Sequence, residues 1–430
     1  MFETELLWGI RWLVILCFVA YAAKRRSLIC WTLIGIVAGG EVGYDWPRAA
    51  VGLQVFVTIF LRLIKTIIGP LLFGTLVVGI AGHTNPKQIG RMGIKALIYF
   101  EVVSTLALAI GFMSISISRV GIGVQFPTTI ATNVPDTGLL SPLQSLINMF
   151  PENIAKSVAE DQILQVVVFS ILFAVALAMI PEAKRKPVII LAESLTATMM
   201  KFTSLVMLLA PVAAFAAMAY MIGSMGVSVV FPMTKLLSTM YVTLVGFTIV
   251  VLLPIAMLTG VPLKRFLAAV AEPVSIAFAT ASSEAALPRS IEEMEKLGIA
   301  RETVAFVLPT GYSFNLAGSG IYQSLALIFI AQATGINLSF RQQLLMLLTL
   351  LVSSKGTAGV ARASLVVVLG VALSFHLPSG PLFLLFGIDQ LMDMGRTAIN
   401  VLGNCLATMV IARWEGETVP FQPEVPETSC

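Results

Sequence analysis

The stretch "GIDQLMDMGRTAINVLGN" (387–404) sets Asp389, Asp393, Arg396, Asn400 and Asn404 into a run that is otherwise apolar. Their spacings of 4, 3, 4 and 4 residues bring all five onto one face of a helix. An ionisable group inside a bilayer costs about 2.5–3.5 kcal/mol even on lenient scales, so such groups face one another or a hydrated cavity. The planar guanidinium of Arg396 is suited to a carboxylate, which it grips through two parallel hydrogen bonds. Asp393, one turn earlier, is suited to an ammonium group. The plainer reading is an i, i+3 ion pair that only locks the helix. Five consecutive polar steps are more than one such pair needs.

The rest of the chain supplies the membrane for that face. Of its 430 residues, 57% are hydrophobic and 12% charged, where a soluble domain has about half and about a quarter. Spans are read near 6–23, 28–44, 52–81, 96–118, 162–181, 188–222 and 235–260. Basic clusters follow the first (Lys24, Arg25, Arg26), third (Lys87, Arg91, Lys95), fifth (Lys184, Arg185, Lys186) and seventh (Lys264, Arg265). Bases at every second loop place the amino terminus outside and residue 264 inside, in a multi-pass protein of the cytoplasmic membrane. "KRRS" after the first run does not resemble a cleavage site. The connection 120–161 reads as a long loop with a partly helical, interfacial segment, and the polar residues after Trp414 as a disordered tail.

The last third changes character. Segments 265–300 and 341–378 each hold a small-residue turn, "ATASSEAALP" and "SSKGTAGVARAS", between two short apolar halves. That pattern predicts re-entrant hairpins, whose irregular backbone is tolerated at membrane depth only beside an enclosed, hydrated cavity. An interrupted span is expected after each, at 302–334 and 380–412, in an inverted repeat around a midplane site. "LPTGYSFNLAGSG" (308–320) is then the unwound centre of the first, its glycines freeing carbonyls to act as ligands. Glu284 in the first tip is a candidate proton carrier or a helix cap. Arg362 in the second tip reads more simply as a surface charge, and Glu101 as a structural hydrogen-bonding residue.

Other classes find little support. Cys17, Cys30, Cys405 and Cys430 lack paired or metal-ligand spacing, and His83 and His376 lie in unrelated contexts. No nucleophile–base pattern or phosphate loop points to an enzyme, and no metal, cofactor or nucleic-acid partner is expected. A channel or sensor would not need two occluding hairpins.

Several long motifs in order carry a resemblance: "FLRLIKTIIGPLLFGTLVVGIAG", "DQILQVVVFSILFAVAL", "TASSEAALP", "LPTGYSFNL", "SSKGTAGV" and "DMGRTAIN". From about residue 28 to 415 the chain resembles the dicarboxylate/amino acid:cation symporter family. That resemblance implies an all-α polytopic, glutamate-transporter-like fold with two re-entrant hairpins, discontinuous spans and inverted repeats. It also implies a homotrimer in the lipid bilayer that carries a small anionic substrate by an elevator motion. The expected regions are an extra N-terminal helix (1–27), scaffold (28–82 and 120–222), transport region (83–119 and 223–414) and a disordered tail (415–430). Position by position, the resemblance implies that Arg396 binds a side-chain carboxylate and Asp393 an α-amino group. Thr397, Asn400 and Ser319 add hydrogen bonds, and the backbone of Ser282, Ser283, Gly359 and Val360 closes over the substrate.

The chain departs from the sodium-coupled members at definite positions. Ala317 and Asn404 stand where those members have aspartates, and Phe100 and Val103 where they have a tyrosine and a threonine. A buried hard cation needs several oxygens, some of them anionic, so sodium coupling is expected to be weakened or absent. Ser313, Asn315 and Asn404 are left as residual cation-site candidates. "PTGYSFNL" and Asn404 resemble the C4-dicarboxylate branch, whereas "DMGRTAIN" resembles the acidic amino acid branch. Asp393 decides between them, because a plain dicarboxylate has no ammonium for it to meet. The expectation is an aspartate or glutamate transporter, with a C4-dicarboxylate carrier, proton-coupled or uncoupled, as the alternative.

Overall fold

The computed structural model describes residues 2–25, 27–81, 88–124, 150–159, 163–336, 338–354, 363–375, 377–378 and 380–417. In chain order the α-helices are α1 (Phe2–Arg25), α2 (Leu28–Asp45), α3 (Pro47–Gly52), α4 (Gln54–Ala81), α5 (Gln88–Ser118), α6 (Ile154–Ala159), α7 (Ile163–Met179), α8 (Glu182–Met207) and α9 (Ala210–Met225). They continue with α10 (Val230–Phe247), α11 (Leu253–Leu258), α12 (Leu263–Thr280), α13 (Ser283–Lys296), α14 (Arg301–Phe314), α15 (Ala317–Ala333), α16 (Phe340–Ser353), α17 (Ala363–Ser374) and α18 (Gly380–Trp414). Among the described residues there is no strand. Five described segments are long and apolar enough to cross a membrane: Leu28–Asp45, Arg91–Ser118, Glu182–Met207, Val227–Leu258 and Arg301–Ala333.

One span expected to be continuous is divided. The span expected at 188–222 is two helices, α8 and α9, which meet at Leu208–Leu209 just before Pro211. Proline suits the first turn of a new helix and disfavours helical backbone in the residue before it. α9 then packs along α2, while α8 packs on α4. The approach of α2 to α9 depends on Gly35, Gly39 and Gly43, where any Cβ would collide with Pro211, Phe215 or Ala219. Small residues four apart let membrane helices come into backbone contact. The run 235–260 is one apolar rod, α10 to α11, joined through a π-helical turn at Thr248–Leu252.

In the last third, α12 and α13 form the first hairpin and pack on each other and on α18. Its turn is tight. Ala281 takes a left-handed conformation, φ 48°, and Ser282 caps α13 by accepting from the Ala285 amide at 3.3 Å. A non-glycine residue in that region costs about 1–2 kcal/mol. The tip of the second expected hairpin falls outside the described residues. The span 302–334 is broken as expected, but only at Asn315 and Leu316; the rest of 308–320, expected to be unwound, is helical in α14 and α15. The span 380–412 is not broken. α18 runs unbroken for 35 residues. Its one proline, Pro381, is in the first turn, and its glycines Gly387 and Gly395 serve close packing, against Met218 and Met233 and against Tyr241.

α18 is the axis of this half of the molecule, with α9, α10, α12, α13, α14 and α15 all packed on it. α15 fills the space between α18 and α5 and is buried almost end to end. Glu415–Glu417, expected to begin a disordered tail, is tied down. Glu415 pairs with Arg91 and Lys95 of α5 at 2.6 and 2.7 Å, and Glu417 accepts hydrogen bonds from Thr303 and the Ala300 amide at the start of α14. Residues 418–430 lie outside the described part.

Candidate functional site

The polar face of α18 is packed inward against α15. Asp389, Asp393, Arg396, Thr397, Asn400 and Asn404 are all buried. Gly318 makes the close contact possible, since a Cβ there would overlap the Arg396 carbonyl. With the two backbones this near, short side chains bridge them. Asn315 donates through Nδ2 to Asn404 Oδ1 at 3.0 Å. Asn400 and Ser319 bond reciprocally: the Ser319 amide donates to Asn400 Oδ1 at 3.2 Å, and Asn400 Nδ2 to Ser319 Oγ at 3.0 Å.

Arg396 occupies the centre of the face and is 2% exposed. Its Nε donates to Asp393 Oδ1 at 2.8 Å, and its Nη1 lies 3.5 Å from Asp389 Oδ1. The Tyr322 ring stacks on the guanidinium, 4.4 Å from Cζ to the ring centroid, and its hydroxyl donates to Asp389 at 2.9 Å. Thr397 donates to the same Asp393 oxygen at 3.1 Å. Nη1 makes no hydrogen bond. A buried guanidinium edge left in that condition is costly, and it is the feature through which this face can take an anion.

The structure therefore joins Arg396, Asp393, Thr397, Asn400 and Ser319 into one buried patch, with Asn315 and Asn404 one turn beyond. Ser282 and Ser283 sit at the tip of the first hairpin, and among the described residues no hydrogen bond links them to Arg396 or Asp393. Glu284 begins the first turn of α13 and is exposed. Glu101 is exposed on α5. Gly359, Val360 and Arg362 lie outside the described residues, as does the Ser313 side chain. Phe100 and Val103 are buried, with Phe100 against Gly311 next to Asn404.

Two members of the patch went unassigned in the sequence reading. Asp389 was placed on the face without a role, and Tyr322 was not singled out. The available signal was the pair Tyr322–Gln323, polar-tipped residues one turn after Ser319 in an apolar helix.

A buried, charged face enclosed by a broken helix and a helical hairpin, in a chain with several membrane-crossing segments, defines an integral membrane protein built to admit a small charged solute. The chain belongs to the sodium:dicarboxylate symporter family, which residues 28–414 match. It is 40% identical over 400 residues to the proton/glutamate-aspartate symporter of Escherichia coli (strain K12), covering 89% of this chain and 91% of that one. It is 38% identical over 404 residues to the proton/sodium-glutamate symport protein of Bacillus caldotenax, covering 91% and 96%. It is also 40% identical over 399 residues to the C4-dicarboxylate transport protein of Cupriavidus necator, covering 91% and 92%. The fold is thus glutamate-transporter-like, the family and these relatives are named as symporters and transport proteins, and the chain is a multi-pass membrane protein. α1 precedes the matched residues.

Proposed function

We propose that the protein is an elevator-type secondary transporter of acidic amino acids, aspartate or glutamate, and not an enzyme. The observation that carries this reading is the Arg396 guanidinium, buried with Nη1 unbonded and a carboxylate one turn away. An acidic amino acid offers a side-chain carboxylate for Arg396 and an ammonium group for Asp393. Thr397, Asn400 and Ser319 complete the contacts, and the hairpin tips at Ser282–Ser283 and Gly359–Val360 close over it. α2 to α4 with α6 to α9 form the scaffold of a homotrimer, α1 is an extra N-terminal helix outside it, and α5 with α10 to α18 form the part that moves. A C4-dicarboxylate carrier is the second reading, favoured by the relative from Cupriavidus necator. Asp393 argues against it, because a plain diacid would leave that carboxylate facing another.

Sodium coupling is weak or absent in this proposal. The Asn315–Asn404 pair is neutral, the Ala317 side chain supplies no oxygen, Phe100 lies against Gly311 beside Asn404, and Val103 is buried one turn on from it. A desolvated cation without anionic ligands is strongly disfavoured. Any remaining cation site would draw on Ser313, Asn315 and Asn404. Protons are the driver left, with Glu284 as the candidate carrier at the hairpin tip. The test is uptake of aspartate by purified protein in liposomes, with sodium and pH gradients imposed independently. A pH gradient should drive accumulation that Glu284→Gln removes, and sodium should have no effect. Affinity rising about tenfold per tenfold increase in sodium would overturn the sodium-independent reading.

A further inference from the structure

α15 and α18 are joined by a regular ladder whose third rung has not formed. Asn315 bonds Asn404 at 3.0 Å, and Ser319 bonds Asn400 at 3.0 Å. Each step advances four residues, from the break at Asn315 into α15, and goes back four along α18, as side chains facing each other on antiparallel segments do. The same step, continued once more, reaches Gln323 on α15 and Arg396 on α18. Its neighbours fix the register: Gly318 lies against the Arg396 carbonyl, and Tyr322 stacks on the guanidinium.

At this step the hydrogen bonds are missing on both sides. Gln323 is 0% exposed, and neither its Oε1 nor its Nε2 has a hydrogen-bond partner. Arg396 Nη1, 2% exposed, has none either. Buried amides and guanidinium edges are nearly always satisfied, and each exception needs an explanation. Two donors on facing rungs, one of them charged, suit an anionic oxygen placed between them.

We infer that Gln323 is a substrate-binding residue, its Nε2 sharing the solute's side-chain carboxylate with Arg396 Nη1. The inference rests on the reading of Arg396 as the carboxylate anchor. Gln323 Oε1, an acceptor, then favours a solute that also carries a nearby N–H or O–H. The unliganded protein leaves this rung open, and the substrate closes it.

Such a rung exchanges stability for affinity, and a merely structural glutamine would not. Gln323→Leu removes both unbonded polar atoms at similar volume. The purified variant should melt above the wild type without ligand, because a buried unsatisfied amide is gone. Its affinity for aspartate should fall by about ten- to a hundredfold, the range for a hydrogen bond to a charged group. If the leucine variant does not fold, Gln323→Met carries the same two expectations. Affinity within about twofold of wild type would assign the amide to water and overturn the inference. A fall in both melting temperature and affinity would make Gln323 structural and also overturn it. Arg396→Ala, measured in parallel, separates the two layers. If it binds aspartate normally, the anchor reading itself fails. If it loses binding while Gln323→Leu keeps it, only the Gln323 assignment fails.

Discussion

Two arginines in this protein each stand beside two carboxylates four residues apart. Arg11 of α1 pairs with Glu41 and Asp45 of α2 at 3.2 and 3.0 Å, its guanidinium 5.0 Å from the centre of the Tyr44 ring, and Trp12 donates to Asp45 at 2.8 Å. Arg396 pairs with Asp389 and Asp393 under Tyr322. The parts match, but the placement differs. The Arg11 cluster is about one-third exposed at the arginine and joins two helices, so it is a clamp between α1 and α2. The Arg396 cluster is buried, and both its acids belong to the arginine's own helix. Tyr322 of α15 ties this cluster to a second helix. Exposed ion pairs contribute about 0–1 kcal/mol, and a buried ion pair is weak evidence for stability. What the buried cluster offers is an oriented charge in a dry site, where an anion is held strongly.

The comparison can be sharpened by removing acids. Asp393→Asn should weaken aspartate by about ten- to a hundredfold, the loss of one charged contact. Succinate, with no ammonium, should change far less. Competition assays with both solutes measure this, and equal losses would return Asp393 to the role of a helix lock. A smaller effect is expected at the other end of α18. Hydrogen bonding from Lys95 and then Arg91 holds the Glu415 carboxyl below the usual carboxylate range. A depressed carboxylate stabilises the fold above its unfolded pKa, and that contribution is lost as pH falls through the folded value. Glu415→Gln should therefore cost under about 1 kcal/mol at pH 7 and almost nothing well below pH 4. Thermal melts of both proteins across pH would show the gap closing, and a constant gap would contradict the ion-pair account.

The sequence showed the polar face of α18 because charges in an apolar run stand out against a helical period. It showed the break at Asn315 for a similar reason, since glycines and polar residues interrupt an apolar span. It misjudged the second break. That break was inferred from the repeat alone, and in α18 Gly387 and Gly395 seat neighbouring side chains against an intact helix. It also joined α8 to α9, because Pro211 sits in an apolar run and hydropathy does not register the lost amide. Tyr322 and Gln323 were missed because their role depends on which face of α15 meets α18. That pairing is set by the close approach at Gly318, a tertiary contact with no local signature. The clamp on α1 was missed for the same reason, as Arg11, Glu41 and Asp45 lie on different helices.

The central claim is that burial in a dry site makes Arg396, and not the one-third exposed Arg11, the anchor for an anionic solute. Equilibrium binding of aspartate to purified Arg396→Ala and Arg11→Ala tests it in one experiment. The account predicts that Arg396→Ala loses about a hundredfold or more in affinity, as a charge-assisted pair in a dry site is worth about 2–5 kcal/mol. It predicts that Arg11→Ala binds as the wild type does and melts only slightly lower. Normal binding by Arg396→Ala, or equal losses in the two variants, would contradict it.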